Sequence, residues 1–262
     1  MGLFSRPDPP IDLLMKKSVL PSLVLVALVL SAASNASAAN CKDVPSWKQL
    51  KVALNTARKE ANGGLNLHMW GTVVNRDGQV CAVAFTGNDR GDQWPGSRVI
   101  SAQKANTANA FSLPGLALST ANLFSAVQPG GSLFGLQLSN PVDTHVAYDG
   151  DAKNFGQQND PMGGKRIGGI NVFGGGLALY SGKGKLVGAI GVSGDTACAD
   201  HNIAWKARKN LELDHVPGGV SPAGDDNLIY LGKQEQPNGF KHPGCGNKEA
   251  EIQLPAVAKK SG

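Results

Sequence analysis

Residues 186–192, with the sequence LVGAIGV, form the uninterrupted apolar run that most constrains the fold of this chain. A short apolar run without charges, bounded by turn residues, predicts a buried strand. Gly188 and Gly191 within it allow another backbone or a ligand to approach closely. Asp195 or Thr196 can then cap a following helix, because their side-chain oxygens accept its first free N–H groups. The run therefore predicts a buried strand that leads directly into a helix.

The glycines and polar residues around this strand fail the spacing of several known motifs. Gly191-Val192-Ser193-Gly194-Asp195 has aspartate where a nucleophile elbow needs its last glycine. The spacing of Gly188, Gly191 and Gly194 differs from that of a dinucleotide-binding loop, and Gly182-Lys183-Gly184 lacks the hydroxyl residue of a phosphate loop. The chain also lacks the C-x-x-C-H sequence that attaches haem covalently.

A metal or acid–base role for the same segment rests on Cys198, Asp200 and His201. Cys198 and His201 stand three residues apart, a spacing that could bind zinc. We expect Cys198 to be oxidised, however, and assign no second Cys/His pair as ligands. Both points disfavour a zinc site. Asp200 lies in the first turn of the predicted helix, where the helix dipole favours an acid. With His201 it is a candidate for general acid–base chemistry. The alternative is that Asp200 only stabilises the start of the helix and that His201 is a surface histidine.

The rest of the chain alternates between helical and strand patterns. The order of helix, hairpin, helices, hairpin and helix predicts an α+β domain with helices packed on an antiparallel sheet. The expected segments are a helix over 45–64, a β-hairpin over 65–87 around Asp77-Gly78, helices over Ser101–Phe111 and Ser119–Val127, an exposed insertion over Asn140–Lys165, two or three strands over 169–194, and a closing helix over Ala197–Leu211.

The N-terminal residues predict export. A basic start at Lys16-Lys17, an apolar run over Val19–Leu30 and the cleavage signal Ala36-Ser37-Ala38 are typical of a secretory signal peptide. Met15 begins a well-formed signal peptide by itself, which leaves open whether Met1 or Met15 is the true start. Because the apolar run is too short for a comfortable span, we expect no stable membrane anchor after cleavage, an uncleaved anchor being the alternative. The expected location is periplasmic or secreted.

Cysteine count and charge narrow the class of protein further. The four cysteines, an even number in an exported chain, predict two disulfides. Of three pairings we expect Cys41–Cys81 and Cys198–Cys245, each stabilising by about 3–4 kcal/mol on the chain-entropy model. The net charge of +5 is scattered, without the Lys/Arg run that tracks phosphates, so nucleic acid is not an expected partner.

Four segments occur in a characteristic order: VVNRDGQVCAVAF, GSRVISAQKANTANAF, QPGGSLFGLQLSN and GGINVFGGGLALYSGKGKLVGAIGVSGDTACAD. Together they resemble the GlcG/HbpS-like family, also called the haem-degrading or haem-binding domain family, over roughly Leu50–Leu211. The most specific part is the glycine pattern that ends at Gly194 and is followed by Asp200. The helix containing Lys104 and Thr107 adds to the resemblance.

The resemblance implies a single α+β domain with an antiparallel, about five-stranded sheet flanked by helices. It also implies assembly into a homo-oligomer and a small-molecule partner, haem or a related tetrapyrrole bound non-covalently, in a protein that scavenges or senses haem or iron. We divide the chain into a signal peptide over 1–38, a GlcG/HbpS-like domain over 39–215 with an insertion at about 140–166, and a C-terminal tail over 216–262 that packs on the domain or extends from it. Export, the cysteines, the insertion and the tail depart from the common family pattern.

Non-covalent haem needs an apolar slot and an axial ligand such as His, Met, Tyr or Cys. His68 and Met69 on the first predicted strand, and His201 at the helix start, are candidate ligands, while Lys104 can pair with a propionate. The ligand-binding candidates are His68, Met69, Lys104, Asp195, Asp200 and His201. No catalytic residue is assigned, and metal ligands stay unknown.

Two other functions stay open at this point. One is a periplasmic enzyme of unknown reaction, with Lys104, Asp195, Asp200 and His201 as acid–base groups. The other is an accessory or oligomeric protein without a small ligand, whose pocket is filled by Phe173, Tyr180 and Trp205. We favour the binding protein over the enzyme.

Overall fold

The computed structural model describes residues 41–233 and 235–258. The proposed signal peptide, with its cleavage signal Ala36-Ser37-Ala38, and the last four residues lie outside the described residues. Within residues 41–233 and 235–258, no helix is both long and apolar enough to cross a membrane.

A four-stranded antiparallel sheet forms the centre of the domain. Its strands are β1 (Trp70–Asn75), β2 (Val80–Phe85), β3 (Gly176–Tyr180) and β4 (Leu186–Ser193), in the order β2-β1-β4-β3. Every residue of β4 is buried, as its apolar run predicts. The two central strands, β1 and β4, each pair on both sides, so the sheet holds them rigidly.

Three long helices cover the two faces of this sheet. Helix α1 (Trp47–Arg58) lies on one face, and helix α2 (Ser97–Phe111) lies on the other. Two short helices follow, α3 (Leu136–Ser139) and α4 (Thr144–Ala147). Helix α5 (Ala197–Asn210) packs beside α1 on the first face. The α+β class is confirmed, with four strands in the main sheet.

Shorter elements complete the described chain. A two-residue strand β5 (Ile229–Tyr230) pairs in parallel with β6 (Lys241–His242) in the C-terminal region. The 3₁₀ turns are Thr120–Leu123, Ser125–Val127, Ala152–Asn154 and Glu249–Glu251.

Local capping explains where two of the long helices begin. The Ser46 hydroxyl accepts the Gln49 N–H while the Gln49 side chain accepts the Ser46 N–H, which is a capping box in front of α1. Thr196 accepts the Ala199 N–H and starts α5, as one of the two sequence alternatives predicts. Both helices therefore begin where their sequences supply an acceptor for the free N–H groups.

Helix α2 lies unusually close to β4 because Gly191 has no side chain. A Cβ atom on Gly191 would stand 1.9 Å from the Ser101 carbonyl oxygen and 2.5 Å from the Ala105 nitrogen. Alanines of α2, among them Ala102 and Ala105, pack into the same contact with the sheet. The glycines of the apolar run thus permit the close backbone approach that the sequence predicts.

Both expected disulfides are confirmed. Cys41 is bonded to Cys81, which ties the start of the described chain to β2, and Cys198 is bonded to Cys245, which ties the C-terminal region to the first turn of α5. Each bond closes a loop of 40 residues or more and limits the freedom of the unfolded chain.

Two segments differ from the sequence expectations. Residues 119–127 form two 3₁₀ turns in place of one α-helix, because Ser119 and Asn122 bond to each other's backbone and Asn122 also donates to the Asn227 carbonyl. The stretch Asn140–Lys165 is not a wholly exposed insertion, since Met162 is fully buried and Asp160 is nearly so. Its polar composition concealed these anchors.

Replacement of Gly191 by alanine tests the close approach of α2. We expect Gly191→Ala to destabilise the protein by about 1–3 kcal/mol, because the backbone of α2 must move away from β4. The matched control is Gly96→Ala, where an added Cβ meets no atom within 4 Å, and we expect a change within about 0.5 kcal/mol. Urea unfolding followed by circular dichroism measures both, and equal midpoints for the two variants would contradict the close packing.

Candidate functional site

The strand-to-helix junction after β4 is held together by the side chain of Asp195. Its carboxylate accepts N–H groups from Leu65 at 2.8 Å, Leu67 at 3.0 Å and Thr196 at 2.6 Å. These bonds fasten the segment before β1 to the start of α5. Asp195 therefore has a structural task at this junction, and its oxygens are engaged within the protein.

Lys104 of α2 and Asp200 of α5 form a buried ion pair that joins the helices on the two faces of the sheet. The Lys104 ammonium lies 2.8 Å from the Asp200 carboxylate and also donates to the Val192 carbonyl at 3.1 Å. Burial raises the pKa of Asp200 to about 6, against the lowering effect of Lys104 and of the Asp195 N–H at 2.9 Å. The carboxylate is thus still ionised at neutral pH. Both side chains form their hydrogen bonds with other groups of the protein.

His201 turns away from this pair and towards the C-terminal region. Its ring is fully buried, and its Nε2 accepts the Leu228 N–H at 3.2 Å and lies 3.2 Å from Asn227 Oδ1. Burial, together with the positive charge of Arg208, lowers the pKa of His201 to about 3. The ring is therefore neutral, and its Nδ1 has no hydrogen-bond partner among the described residues.

The C-terminal region packs over the α5 side of this junction. Arg208 of α5 makes a two-point ion pair with Asp226, at 2.7 and 2.8 Å, and neither side chain is exposed. The Trp205 indole donates to the Pro255 carbonyl at 2.8 Å. These contacts, with the disulfide of Cys198, hold the tail on α5, where it covers His201. Asp195, in contrast, lines a pocket of about 360 Å³ together with residues of the 58–67 segment.

His68 and Met69 lie in different environments although they are neighbours. Met69 is fully buried in the core between the sheet and helices α1 and α5. His68 is half-buried, with Nδ1 3.0 Å from Thr86 Oγ1, and that hydroxyl also accepts the Met69 N–H at 2.9 Å. His68 Nε2 has no hydrogen bond in the described part of the chain.

The structure therefore brings only some of the six candidates together. Lys104, Asp200 and the backbone of Asp195 form one bonded group, and His201 adjoins it through α5 but faces the tail. His68 lies apart, before β1. Whether any of the six contacts a ligand stays a prediction.

An aromatic cavity lies at the other side of β1, where the first turn of α2 meets the 148–155 segment. Its volume is about 660 Å³. Three aromatic side chains, Trp70, Tyr148 and Phe155, contribute to its wall, and the arginines Arg90 and Arg98 contribute positive charge. The remaining lining residues are Asp89, Gly91, Pro95, Gly96, Val99 and Ala152.

Arg98 builds the wall of this cavity. Its guanidinium makes a two-point ion pair with Asp160, donates to the Ala147 carbonyl at 2.7 Å, and stands 3.7 Å from the centre of the Phe155 ring. Both charged side chains of the pair are nearly fully buried. Asp160 also accepts N–H groups from Gly156 and Met162 and so fixes the loop that carries Phe155.

Trp70 contributes its ring to the wall of this cavity, and its own hydrogen-bond donor is buried. The residue is 1% exposed, and its Nε1 has no partner among the described residues. A buried donor without an acceptor costs free energy. Tyr148, in contrast, is 62% exposed. Its hydroxyl forms no hydrogen bond with another side chain among the described residues.

The sequence predictions missed this cavity. Asp160 and Phe155 belong to a stretch that was expected to be exposed, and Arg98 precedes the predicted start of its helix. The available signal was the presence of Tyr148 and Phe155 in an otherwise polar stretch, because large aromatic side chains rarely occur there without a packing partner. The zinc argument from the sequence also missed one Cys/His pair. His242 and Cys245 stand three residues apart, as Cys198 and His201 do.

A family model described as "Haem degrading protein HbpS-like" matches residues 46–209, which is more than half of the chain. No curated protein matches the chain.

Three solved structures are similar to this chain. Klebsiella pneumoniae protein ORFY, assigned to family DUF336, has 26% identity, a TM-score of 0.43, and an alignment over 63% of this chain and 86% of that chain. A complex of PduOC with haem has 22% identity, a TM-score of 0.44, and coverage of 63% and 91%. HbpS has 17% identity, a TM-score of 0.39, and coverage of 64% and 89%.

The buried imidazole of His201 predicts acid sensitivity. Its folded pKa of about 3 lies below the unfolded value near 6.5, so the unfolded state binds the proton first and stability falls as the pH drops through 6.5. Between pH 7 and pH 5 this costs about 2 kcal/mol. Asp200 acts in the opposite direction, because its pKa is raised and its protonation favours the folded state.

The contribution of His201 is isolated by comparing the pH dependence of the wild type and His201→Gln. We expect the loss of unfolding free energy between pH 7 and pH 5 to be smaller by about 2 kcal/mol in the variant. The variant His145→Gln, at an exposed histidine, should keep the wild-type pH dependence. Urea unfolding at each pH gives the values, and identical slopes for all three proteins would refute the prediction.

Proposed function

The chain belongs to the HbpS-like family of haem degrading proteins, and on that premise we propose that it binds haem non-covalently in the cavity of Trp70, Tyr148 and Phe155. The observation that carries the proposal is the cavity itself, whose lining joins three aromatic side chains with the positively charged Arg90. The expected role is haem or iron scavenging or sensing outside the cytoplasm. Two disulfides are compatible with such an oxidising location.

The residues at the cavity fit what haem requires. The volume of about 660 Å³ falls within the roughly 300–1,000 Å³ typical of ligand sites. Aromatic side chains offer flat apolar surface to a macrocycle. Arg90 is exposed at the rim and offers its guanidinium to a propionate, since guanidinium groups bind carboxylates at two points. Arg98 is already bonded to Asp160, so its task is to hold the wall.

Tyr148 is the residue that we assign to the iron. It lines the cavity, its hydroxyl is exposed, and tyrosine is an established axial ligand of haem. His68 does not line this cavity, but it is the alternative ligand if haem binds beside β1, because its Nδ1 contacts Thr86 and its Nε2 has no hydrogen bond among the described residues. Ligating histidines are commonly held in this way through their second nitrogen. Bound haem would supply a redox-active iron and visible absorption.

The other sequence candidates support this choice by being engaged elsewhere. Lys104 and Asp200 bond to each other, Asp195 holds three backbone N–H groups, and Met69 is in the core. Homo-oligomer formation stays a prediction, for which exposed Phe134 and Leu138 supply apolar surface.

A haem titration of the oxidised protein tests the proposal. We expect a saturable change of the Soret band with one haem per chain. Tyr148→Phe keeps the ring and removes the ligand oxygen, so the spectrum should change and binding should weaken at least about tenfold, which corresponds to about 1.4 kcal/mol. Tyr230→Phe, at a tyrosine of β5 away from the cavity, is the matched control and should bind as the wild type does.

Two further variants distinguish the ligand and the place. His68→Ala, compared with His145→Ala, shows whether His68 replaces Tyr148 as the ligand. Gly96→Phe fills the cavity from a wall position where an added Cβ meets no atom, so it should abolish binding and leave the fold intact. Full binding by Gly96→Phe would overturn the assigned place, and absence of any saturable shift in the wild type would overturn haem binding itself.

A further inference from the structure

We propose that reduction of the Cys198–Cys245 disulfide creates a zinc site whose ligands are Cys198, Cys245 and Glu249, with His242 as the fourth. In the oxidised protein the disulfide fastens the tail to α5, and in the reduced protein the metal ion does so. This inference is independent of the haem proposal, because the site lies on the C-terminal side of the domain and shares no residue with the aromatic cavity.

Three donor atoms already stand together in the oxidised protein. The two sulfur atoms and one Glu249 carboxylate oxygen all lie within 4.8 Å of one another. Among residues 41–233 and 235–258 this is the one such group of three His, Cys, Asp or Glu side chains. Cys198 is fully buried, Glu249 is 5% exposed and Cys245 is half-buried, so the group is reached by solvent only on the Cys245 side. Thiolate sulfur and carboxylate oxygen are both established zinc donors.

His242 supplies an independent sign that a ligand belongs here. Its ring is buried, and its Nε2 has no hydrogen-bond partner in the described part of the chain. Its Nδ1 lies 2.7 Å from the Pro243 carbonyl, and that same carbonyl stands 3.6 Å from the Cys198 sulfur. The shared Pro243 carbonyl thus connects the imidazole to the sulfur group, although His242 is not among the three donors that stand within 4.8 Å of one another. Its Nδ1 is oriented by a carbonyl, as is usual for a zinc-bound histidine, so Nε2 is the nitrogen that would bind the ion.

The surroundings favour negative charge on these donors. Cys198 lies in the first turn of α5, and its N–H is directed at the Cys245 sulfur at 3.2 Å. The positive end of a helix dipole stabilises a thiolate at that place. The Glu249 carboxylate accepts the N–H groups of Cys245, Gly246 and Asn247, which stabilise its negative charge. An ionised carboxylate has about four lone-pair positions, so Glu249 can bind a cation while it keeps these bonds.

The conversion balances with a dithiol as the reductant. The dithiol transfers two electrons and two protons, the Cys198–Cys245 bond breaks, and two thiols form while the dithiol closes to its own disulfide. Zinc then displaces the two thiol protons and binds both thiolates, and two protons are released to solvent. The disulfide form of the same dithiol reverses these steps: it takes two electrons from the two thiolates and two protons from solvent, the Cys198–Cys245 bond forms again and Zn²⁺ is released.

The test measures zinc in the protein freed of its leader, before and after reduction. The protein is reduced with dithiothreitol, desalted without oxygen, incubated with Zn²⁺ and desalted again. We expect one zinc per reduced chain and none per oxidised chain. Reduced protein incubated with Co²⁺ should show thiolate-to-cobalt charge-transfer absorption and the strong visible bands of a tetrahedral site.

Two cysteine pairs provide matched variants. C41S/C81S removes the other disulfide, which belongs to no group of three His, Cys, Asp or Glu donors among the described residues. This variant should keep one zinc per reduced chain. C198S/C245S should bind none. Glu249→Gln and His242→Ala should weaken binding about 10- to 100-fold, whereas His145→Ala should have no effect.

Several results would overturn the proposal. Absence of zinc in the reduced wild type refutes the site directly, without depending on the folding of any variant. Zinc retained by C198S/C245S refutes the cysteine ligands. Unchanged affinity in both Glu249→Gln and His242→Ala refutes the assignment of the remaining ligands.

Discussion

The contact between helix α2 and strand β4 is the constraint on which the rest of the structure depends. Gly191 lets the Ser101 carbonyl come so close to the strand that no Cβ fits between them. This short distance allows Lys104 of α2 to reach the Val192 carbonyl and Asp200 on the far side of the sheet edge. The same placement of α2 sets Arg98 in its first turn against Asp160 and Phe155, where it forms the wall of the aromatic cavity.

The two ends of this arrangement have opposite accessibility. At the C-terminal end of β4, the tail is held by the Cys198–Cys245 bond and by the buried pair of Arg208 and Asp226, and it covers His201. A buried ion pair contributes little net stability, but loss of one partner leaves a costly unpaired charge. The tail is therefore fixed in place, while the cavity at Trp70 stays open to a ligand.

Strong local signals could be predicted from the sequence, and signals that depend on distant partners could not. The buried strand over residues 186–192, the cap at Thr196 and the presence of two disulfides follow from pattern, side-chain chemistry and cysteine count. The aromatic cavity did not follow, because Asp160 is a loop carboxylate in sequence and becomes a buried partner only when Arg98 lies beside it. His242 likewise looks like a loop residue until the tail folds back onto α5.

The sequence by itself determined the class of the fold, the number of disulfides and the strand-to-helix junction, because hydrophobic period, cysteine count, helix caps and glycine spacing are read without knowledge of distant contacts. Which cysteines pair was decided by the tertiary structure, which brings together residues 40 and 47 positions apart. Only the tertiary structure decided which polar groups are free to act. It paired Lys104 with Asp200, enclosed His201 beneath the tail, and left Trp70 Nε1 and His242 Nε2 without hydrogen-bond partners among residues 41–233 and 235–258. The physical reason is that a buried polar atom can bind a ligand only if no other group of the protein occupies it. The groups that occupy it come from distant parts of the chain.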